Sequence, residues 1–188
     1  MGNRLSKVVT RTGDTGSTGM ADGSRRAKND ARVHCLGEVD ELNAHIGVCL
    51  SLLSGGPVQE QLFAIQHDLF DIGAELCQPQ AHLITEDYVD GLESGIEELN
   101  AALPALKEFI LPGGTPAVAS LQLARTVCRR AERALVELSA QEELNPVTCR
   151  YMNRLSDLLF VLGRSQARED GAGEVYWNSQ YSRLQRGD

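Results

Sequence analysis

Apolar residues recur every three or four positions through most of the segment from residue 29 to residue 170, and this spacing lines one face of an α-helix. The pattern restarts at Pro57, Pro116 and Pro146, and proline is favoured in the first turn of a helix. Thr85 precedes another restart and is a suitable N-cap residue. The pattern therefore predicts five helices, which begin near residues 29, 57, 85, 116 and 146.

No segment shows the two-residue period of a strand, and there is no alternation of strands with helices. We therefore predict an all-α fold, a five-helix bundle preceded by a long N-terminal loop. The length of 188 residues suits a single domain. Its predicted parts are a loop over residues 1–28, a helical bundle over 29–170 and a C-terminal tail over 171–188.

The fourth predicted helix concentrates positive charge. Arg125, Arg129, Arg130 and Arg133 lie close together, although the chain as a whole has a net charge of −8. Like charges four residues apart on a helix repel by about 0.2–0.5 kcal/mol. A polyphosphate would offset this repulsion, because guanidinium groups donate paired hydrogen bonds to phosphate oxygens. A solvated basic face or a network of interhelical salt bridges would also explain the cluster.

The same helix is apolar on two sides. Leu121 and Cys128 belong to a stripe that adjoins the arginines, whereas Val127, Ala134 and Leu138 lie opposite the arginine face. Such a helix is expected either at the centre of the bundle or against another subunit. We therefore predict an oligomer.

Composition excludes several classes of function. The negative net charge argues against general nucleic-acid binding, which depends on a basic surface. The apolar stretches are shorter than the roughly 18 residues of a membrane helix, and no secretory leader opens the chain. We expect a soluble, cytoplasmic protein with no nucleic-acid or membrane partner. Residues 1–6 match the loose myristoylation pattern, but a single acyl chain anchors only weakly.

The five cysteines are widely spaced and form no Cys-x-x-Cys pair, so reduced thiols are expected. His45 and Cys49 lie one helical turn apart. Without two further ligands at suitable spacing, they predict no metal site.

The sequence TRTGDTGSTG (residues 10–19) spaces three glycines among hydroxyl and carboxyl side chains. Such a segment can turn backbone N–H groups inward on an anion. It is neither a Walker loop nor a dinucleotide fingerprint, because the Gly-Lys-Ser/Thr ending and a preceding strand are missing. Asp14 begins the tetrapeptide of aspartic proteases, but that chemistry needs two carboxylates that share a proton. A flexible glycine-rich terminus is the simple alternative.

Taken together, these segments resemble the PduO-type ATP:cob(I)alamin adenosyltransferases, also called corrinoid adenosyltransferases. The resemblance spans about residues 8–165 and rests on separated motifs in the family's order. They are TRTGDTGSTG, then Lys28, GEVDELN (37–43), FILPGGT (109–115), ARTVCRRAER (124–133) and RYMNRLSDLLF (150–160). Several separated motifs make the resemblance specific.

The resemblance implies a homotrimer with active sites at the subunit interfaces. It also implies transfer of the 5′-deoxyadenosyl group of ATP to cob(I)alamin, which forms adenosylcobalamin and releases triphosphate, with Mg²⁺ as a cofactor. Cob(I)alamin is itself a strong nucleophile, so the protein is not expected to supply one.

The resemblance assigns roles to individual residues. Arg125 would pair with Asp40 across the interface and position the phosphates. Phe109 would pack near the corrin and keep its lower dimethylbenzimidazole ligand away. The ATP contacts would come from Thr10, Arg11, Thr12, Gly13, Thr18, Lys28, Arg129, Arg130, Ala131, Glu132, Arg133 and Asn153. No residue is assigned as a metal ligand.

The expected partners are ATP and reduced corrinoid, with an adenosylcobalamin-dependent mutase or dehydratase and a reductase as further candidates. Two other hypotheses stay open. One is a helical carrier that hands corrinoid or nucleotide to a mutase without catalysis. The other is an interaction bundle whose arginines pair internally.

Overall fold

The computed structural model describes residues 9–178. Five helices occupy most of this part of the chain, which confirms the predicted number and class. They are α1 (Ala31–Ser51), α2 (Pro57–Cys77), α3 (Glu86–Ala101), α4 (Pro116–Ser139) and α5 (Pro146–Glu169).

Side-chain caps fix where three of the helices begin. The side chains of Thr115 and Asn145 accept capping hydrogen bonds of 3.4 Å and 3.0 Å from backbone N–H groups of the first turn. Asp30 accepts a bond of 2.9 Å at the start of α1. Thr85 occupies the predicted N-cap position of α3, but its side chain accepts no capping bond. The predicted starts of α4 and α5 therefore rest on local chemistry that the sequence already shows.

The central helix of the bundle is α4, which packs along both α1 and α5. α2 packs on α1, and α3 packs on α5. The central place of α4 explains why it is apolar on two sides, because Cys128 and Leu135 are buried as completely as Leu138, and Val127 is 4 % exposed. A second subunit is therefore not needed to account for that pattern, and the predicted oligomer stays a prediction.

The N-terminal loop contains a short hairpin that sequence analysis does not predict. β1 (Ser17–Gly19) and β2 (Arg25–Ala27) pair antiparallel, with Thr18 opposite Arg26. The expectation of no strand is wrong at this point, because strands of three residues are too short to show a two-residue period. Gly16 precedes β1 with φ of 83°, a conformation that glycine adopts without strain.

Charged side chains attach the hairpin to one end of the bundle. Glu142, in the turn between α4 and α5, accepts hydrogen bonds from Arg26 at 2.5 Å and from Arg32 at 2.8 Å. Arg32 is buried and also donates to the carbonyl of Leu76 at 3.0 Å. Hydrogen bonding by Arg26, and then by Arg32, lowers the pKa of Glu142. These contacts join the loop to α1, to the end of α2 and to the α4–α5 turn.

The described part of the C-terminal tail packs against the connector between α3 and α4. Leu111 donates its backbone N–H to the carbonyl of Val175 at 2.8 Å, and Trp177 donates to the carbonyl of Phe109 at 2.7 Å. The rest of the predicted tail, residues 179–188, lies outside the described residues, as do residues 1–8 of the loop with the myristoylation pattern.

None of the described helices combines the length and the apolar character needed to cross a bilayer. All five cysteines are free thiols, as predicted. Burial raises the pKa of the Cys35 thiol to about 12.

Candidate functional site

Three of the four α4 arginines have no carboxylate partner within residues 9–178. They are Arg125, Arg129 and Arg133. Nε of Arg125 donates to Gln122 at 2.9 Å, and Arg133 donates to the backbone carbonyl of Arg129 at 3.0 Å. Burial and the neighbouring charge of Arg129 lower the pKa of Arg125. Guanidinium groups along one helix that form no ion pair with a carboxylate are suited to binding an anion.

Arg130 differs from these three because it forms ion pairs within the chain. Its Nε donates to Glu38 on α1 at 2.5 Å, and its NH2 group bonds to Glu41. The hydrogen bonds to Glu38 and Glu41 raise the pKa of Arg130. The interhelical salt-bridge alternative therefore applies to Arg130, and its predicted contact with ATP stays a prediction.

The fifth helix joins this surface through Asn153. Its Nδ2 donates to Oε1 of Glu132 at 2.9 Å, and its Oδ1 accepts from Arg154 at 2.9 Å. Glu132 follows Arg129 by three positions and therefore lies beside it on α4. Ala131 is fully buried, so its side chain packs in the core beneath these polar neighbours.

The glycine-rich loop folds back onto Lys28. The backbone N–H of Lys28 donates to Gly16 at 2.9 Å, and that of Gly16 donates to Gly13 at 3.1 Å. A Cβ atom at position 13 would lie only 3.3 Å from the Lys28 ammonium, so glycine permits this approach. The hydroxyls of Thr10 and Thr12 are 3.0 Å apart. The structure thus brings most of the predicted loop residues into one turn.

Arg25 holds this turn in shape, and sequence analysis misses it. Its guanidinium donates to the carbonyl of Thr12 at 2.6 Å and to the hydroxyl of Ser17 at 2.7 Å. Arg11, next to the turn, has φ of 61°, which is uncommon for a residue other than glycine. The signal in the sequence is the pair Arg25 and Arg26, two adjacent arginines in the loop of an acidic chain.

A cleft of about 530 Å³ lies between the hairpin, α1 and α2. Thr18, Asp40 and Phe70 line it, with Asp40 exposed on α1 and Phe70 72 % exposed on α2. Gly37 also lines the cleft, three positions before Asp40 on α1. The cleft is bounded on one side by the predicted nucleotide loop.

The predicted site residues thus form two groups within one chain. The loop group contains the N-terminal residues and Asp40, and the α4 group contains the arginines with Glu132 and Asn153. Among residues 9–178, no hydrogen bond or ion pair joins the loop group to the α4 group, and Asp40 is not paired with Arg125. The predicted pair across an interface therefore stays a prediction.

Phe109 lies on the connector between α3 and α4 and is 74 % exposed. Its ring meets Trp177 edge to face, with 6.2 Å between the centroids. Its predicted contact with the corrin stays a prediction.

Within the described part of the chain, no group of three or more His, Cys, Asp or Glu side chains could hold a metal ion. The protein therefore offers Mg²⁺ no cage of its own there. This ion commonly binds through substrate phosphates and water with few protein ligands, so a phosphate-bearing ligand would have to supply most of its coordination.

The comparisons with known proteins agree with the motifs. Residues 8–166 match the family model described as Cobalamin adenosyltransferase. The cobalamin adenosyltransferase of Cupriavidus metallidurans is 53% identical over 181 residues, which cover 96% of this chain and 98% of that protein. The corrinoid adenosyltransferase of Bacillus subtilis is 44% identical over 176 residues, which cover 90% of this chain and 91% of that protein.

A solved structure shows the same fold. It is a variant PduO-type ATP:corrinoid adenosyltransferase from Lactobacillus reuteri, complexed with cobalamin and ATP. The TM-score is 0.86 at 34% identity, with 92% of this chain and 100% of that chain covered. Because the family model and the relatives span most of its length, this chain belongs to the cobalamin adenosyltransferase family and is a PduO-type corrinoid adenosyltransferase.

Proposed function

We propose that this enzyme transfers the 5′-deoxyadenosyl group of ATP to the cobalt of cob(I)alamin, forming adenosylcobalamin and releasing triphosphate. The observation that carries the proposal is the α4 face, where Arg125, Arg129 and Arg133 lack a carboxylate partner within the described residues. Neighbouring arginines there repel by about 0.2–0.5 kcal/mol per pair. A ligand with several negative charges would offset that repulsion, and triphosphate has them. The Lactobacillus reuteri structure contains both ATP and cobalamin, which supports the same pair of substrates.

The two groups of residues have complementary parts in nucleotide binding. The loop group would close over the nucleotide with backbone N–H groups, the Lys28 ammonium and the side chains of Thr10, Arg11, Thr12 and Thr18. The α4 group would hold the phosphates through Arg129 and Arg133. Arg130, Glu132 and Asn153 would fix the shape of that surface through the contacts described above.

The separation of the two groups supports a site between subunits. No hydrogen bond or ion pair joins them within residues 9–178 of one chain, and a site between two copies would bring both groups to one ATP. Asp40 of one copy would then pair with Arg125 of the next. A ring of three such interfaces gives the homotrimer that we propose.

The chemistry needs alignment and charge stabilisation. The electron pair of cobalt(I) attacks C5′ of the ribose, the C5′–O bond breaks, and triphosphate leaves with the bonding pair. Arg125 and Arg129 would stabilise the growing charge on the leaving group, because positive charges fixed beside a departing anion favour the transition state. Holding the two substrates in line would supply the rest of the acceleration.

The exposed ring of Phe109 would act on the other substrate. An apolar ring below the corrin would exclude the lower dimethylbenzimidazole ligand from cobalt. Loss of an axial donor favours the lower oxidation state, which raises the cobalt(II)/cobalt(I) potential. The residue would thus ease the reduction that precedes transfer.

Magnesium would enter with the nucleotide. When bound, it neutralises part of the triphosphate charge. The described residues offer it no cluster of ligands, so we propose that it reaches the site bound to the phosphates. Further proposed partners are a reductase that supplies the electron and an adenosylcobalamin-dependent mutase or dehydratase that takes the product.

The test is an adenosylation assay. Chemically reduced cob(I)alamin is mixed with Mg-ATP, and the loss of its absorbance and the formation of adenosylcobalamin are followed under anaerobic conditions. The wild type is expected to turn over, and Arg125→Ala is expected to lose turnover. Arg168→Ala, which removes an equal charge from an exposed position on α5, is the matched control. Absence of product from the wild-type protein would refute the proposal.

The same variants separate catalysis from simple delivery. A carrier that bound corrinoid or nucleotide without chemistry would show weaker binding in Arg125→Ala but no product in any variant. An interaction bundle would show no rise in melting temperature with ATP, whereas a bound ligand stabilises the folded state. Light scattering of the free and ATP-bound protein checks the trimer.

A further inference from the structure

The tail that follows α5 lies beyond residue 166, where the match to the family model ends. Its described part nevertheless forms an ordered contact with the connector that carries Phe109. The backbone N–H of Trp177 donates to the carbonyl of Phe109 at 2.7 Å, and the backbone N–H of Leu111 donates to the carbonyl of Val175 at 2.8 Å. Ile110 and Tyr176 form an antiparallel bridge between these two bonds. The tail therefore adds a short strand to the connector.

The tail is itself fixed to the bundle. Arg164 of α5 has a side chain that is only 3 % exposed, and its Nε donates to Glu174 at 2.6 Å. The same guanidinium donates to the carbonyl of Pro104, at the start of the connector, at 2.7 Å. One buried arginine thus links both the tail and the connector to α5. Between them and the helices lies a cavity of about 180 Å³, so the connector is not fixed by close packing alone.

The aromatic contact completes this arrangement. The Phe109 ring is 74 % exposed and the Trp177 ring 45 % exposed, and they meet at an angle of 61°. Edge-to-face contact is a preferred geometry for aromatic pairs. Without it, a phenylalanine on a connector would sample several rotamers, and a ring that must exclude an axial ligand needs a single position.

We propose that Trp177 is a positioning residue that holds Phe109 in the orientation that removes the lower ligand of the corrinoid. The inference rests on the proposed function, because it assigns a role within that reaction. It predicts that the tail acts on the step before transfer. In that step one electron from a reduced flavin converts cobalt(II) to cobalt(I), and the adenosyl transfer then follows as described above.

The experiment compares wild type, Trp177→Ala, Trp177→Phe and Tyr176→Ala. Tyr176 is the matched control, because it is the adjacent aromatic residue of the same strand and is similarly exposed, at 48 %. Each protein is assayed twice with ATP, once with cob(II)alamin and reduced flavin and once with cob(I)alamin reduced beforehand. Electron paramagnetic resonance of bound cob(II)alamin with ATP reports whether the lower ligand is present.

With cob(II)alamin and flavin, Trp177→Ala is expected to lose about tenfold in rate, and with cob(I)alamin reduced beforehand about threefold or less. Its resonance spectrum should retain the signal of the ligand-bound form. Trp177→Phe keeps a ring and should recover most of the rate, and Tyr176→Ala should match the wild type. Equal losses in both assays, or a wild-type spectrum for Trp177→Ala, would overturn the inference.

Two checks keep the outcomes distinct. If the wild type forms no adenosylcobalamin from cob(I)alamin, the proposed function fails and not only the role of Trp177. Melting temperatures of all variants test whether Trp177→Ala is folded. Should it unfold, Glu174→Ala removes the acceptor of the Arg164 bond and so loosens the tail without altering either ring, and it is expected to show the same selective loss with cob(II)alamin. If that variant shows no selective loss, the inference is overturned as well.

Discussion

Nε of Arg130 on α4 lies 2.5 Å from a carboxylate oxygen of Glu38 on α1. Glu41 bonds to the same guanidinium, so Arg130 clamps two neighbouring helices. Arg129, the adjacent residue, is exposed and has no carboxylate partner among residues 9–178. Two arginines that look equivalent in the sequence therefore have different environments, and the difference can be measured.

Arg130→Ala is expected to lower the stability of the ligand-free protein, because it breaks a pair of ion-paired hydrogen bonds between α4 and α1. The side chain is 41 % exposed, so the loss should be small, about 0.5–1 kcal/mol. Arg129→Ala removes two repelling pairs, so it should leave that stability equal or slightly higher, but it should reduce the rise in melting temperature caused by ATP. Thermal melts with and without ATP check both statements. The same ligand-free melting temperature in both variants would contradict the assignment.

The role of Arg25 can be tested by keeping its charge. Its guanidinium bonds to Thr12 and Ser17, and these contacts hold the glycine-rich turn closed. Arg25→Lys retains the charge but cannot make both bonds in the same geometry. We therefore expect a rise in KM for ATP of about tenfold, the equivalent of about 1.4 kcal/mol, with kcat less affected. If Arg25→Lys has the same KM for ATP as the wild type, the charge alone suffices, and Arg25 does not act by ordering the turn.

The helices could be predicted from the sequence because the apolar spacing and the residues at their ends are local signals. The proline restarts and the caps at Thr115 and Asn145 mark ends that depend on a few adjacent residues. The hairpin and the contact between Trp177 and Phe109 could not be predicted in that way. The hairpin strands are too short to show a period. Phe109 and Trp177 are far apart in the sequence.

In the candidate site, too, some features can be read from the sequence and others depend on how the helices pack. The α4 arginines stand out because they cluster on one helix of an acidic chain. Which of them is free and which is paired depends on where Glu38 lies after α1 packs on α4, and no pattern along α4 alone contains that information. Arg125 donates to Gln122 and is not paired with Asp40 among residues 9–178, so the predicted pair stays a prediction.

A buried carboxylate holds the loop between α2 and α3 against the start of α5. Glu75 is 6 % exposed and accepts hydrogen bonds from the backbone of Leu83 at 2.8 Å and from Asn145 at 3.0 Å. Its other carboxylate oxygen accepts from Thr148. Glu75→Gln keeps one acceptor oxygen but replaces charge-assisted hydrogen bonds with neutral ones, and it should cost about 1–2 kcal/mol. Urea unfolding measures this loss, with the exposed Glu97→Gln as the control, for which we expect a change within about 0.5 kcal/mol.

The acid sensitivity of the fold should depend on Glu142. Arg26 and Arg32 lower its pKa from the ordinary value of 4.5, so its ion pairs stabilise the folded state above that pH. This contribution is lost as the pH falls through the lowered folded-state pKa, where the carboxylate takes up a proton. Glu142→Gln should therefore be less stable than the wild type by about 1–2 kcal/mol at pH 7, because buried Arg32 loses its counter-charge.

Urea unfolding at several pH values between 7 and 3 checks the direction of this effect. The gap between the wild type and Glu142→Gln should stay constant at neutral pH and close progressively below about pH 4.5, as linkage requires. Glu143→Gln is the matched control, because Glu143 is the adjacent carboxylate and is exposed, with no ion pair among the described residues. A gap that persists at the lowest pH would show that Glu142 stabilises the loop through packing and not through its charge.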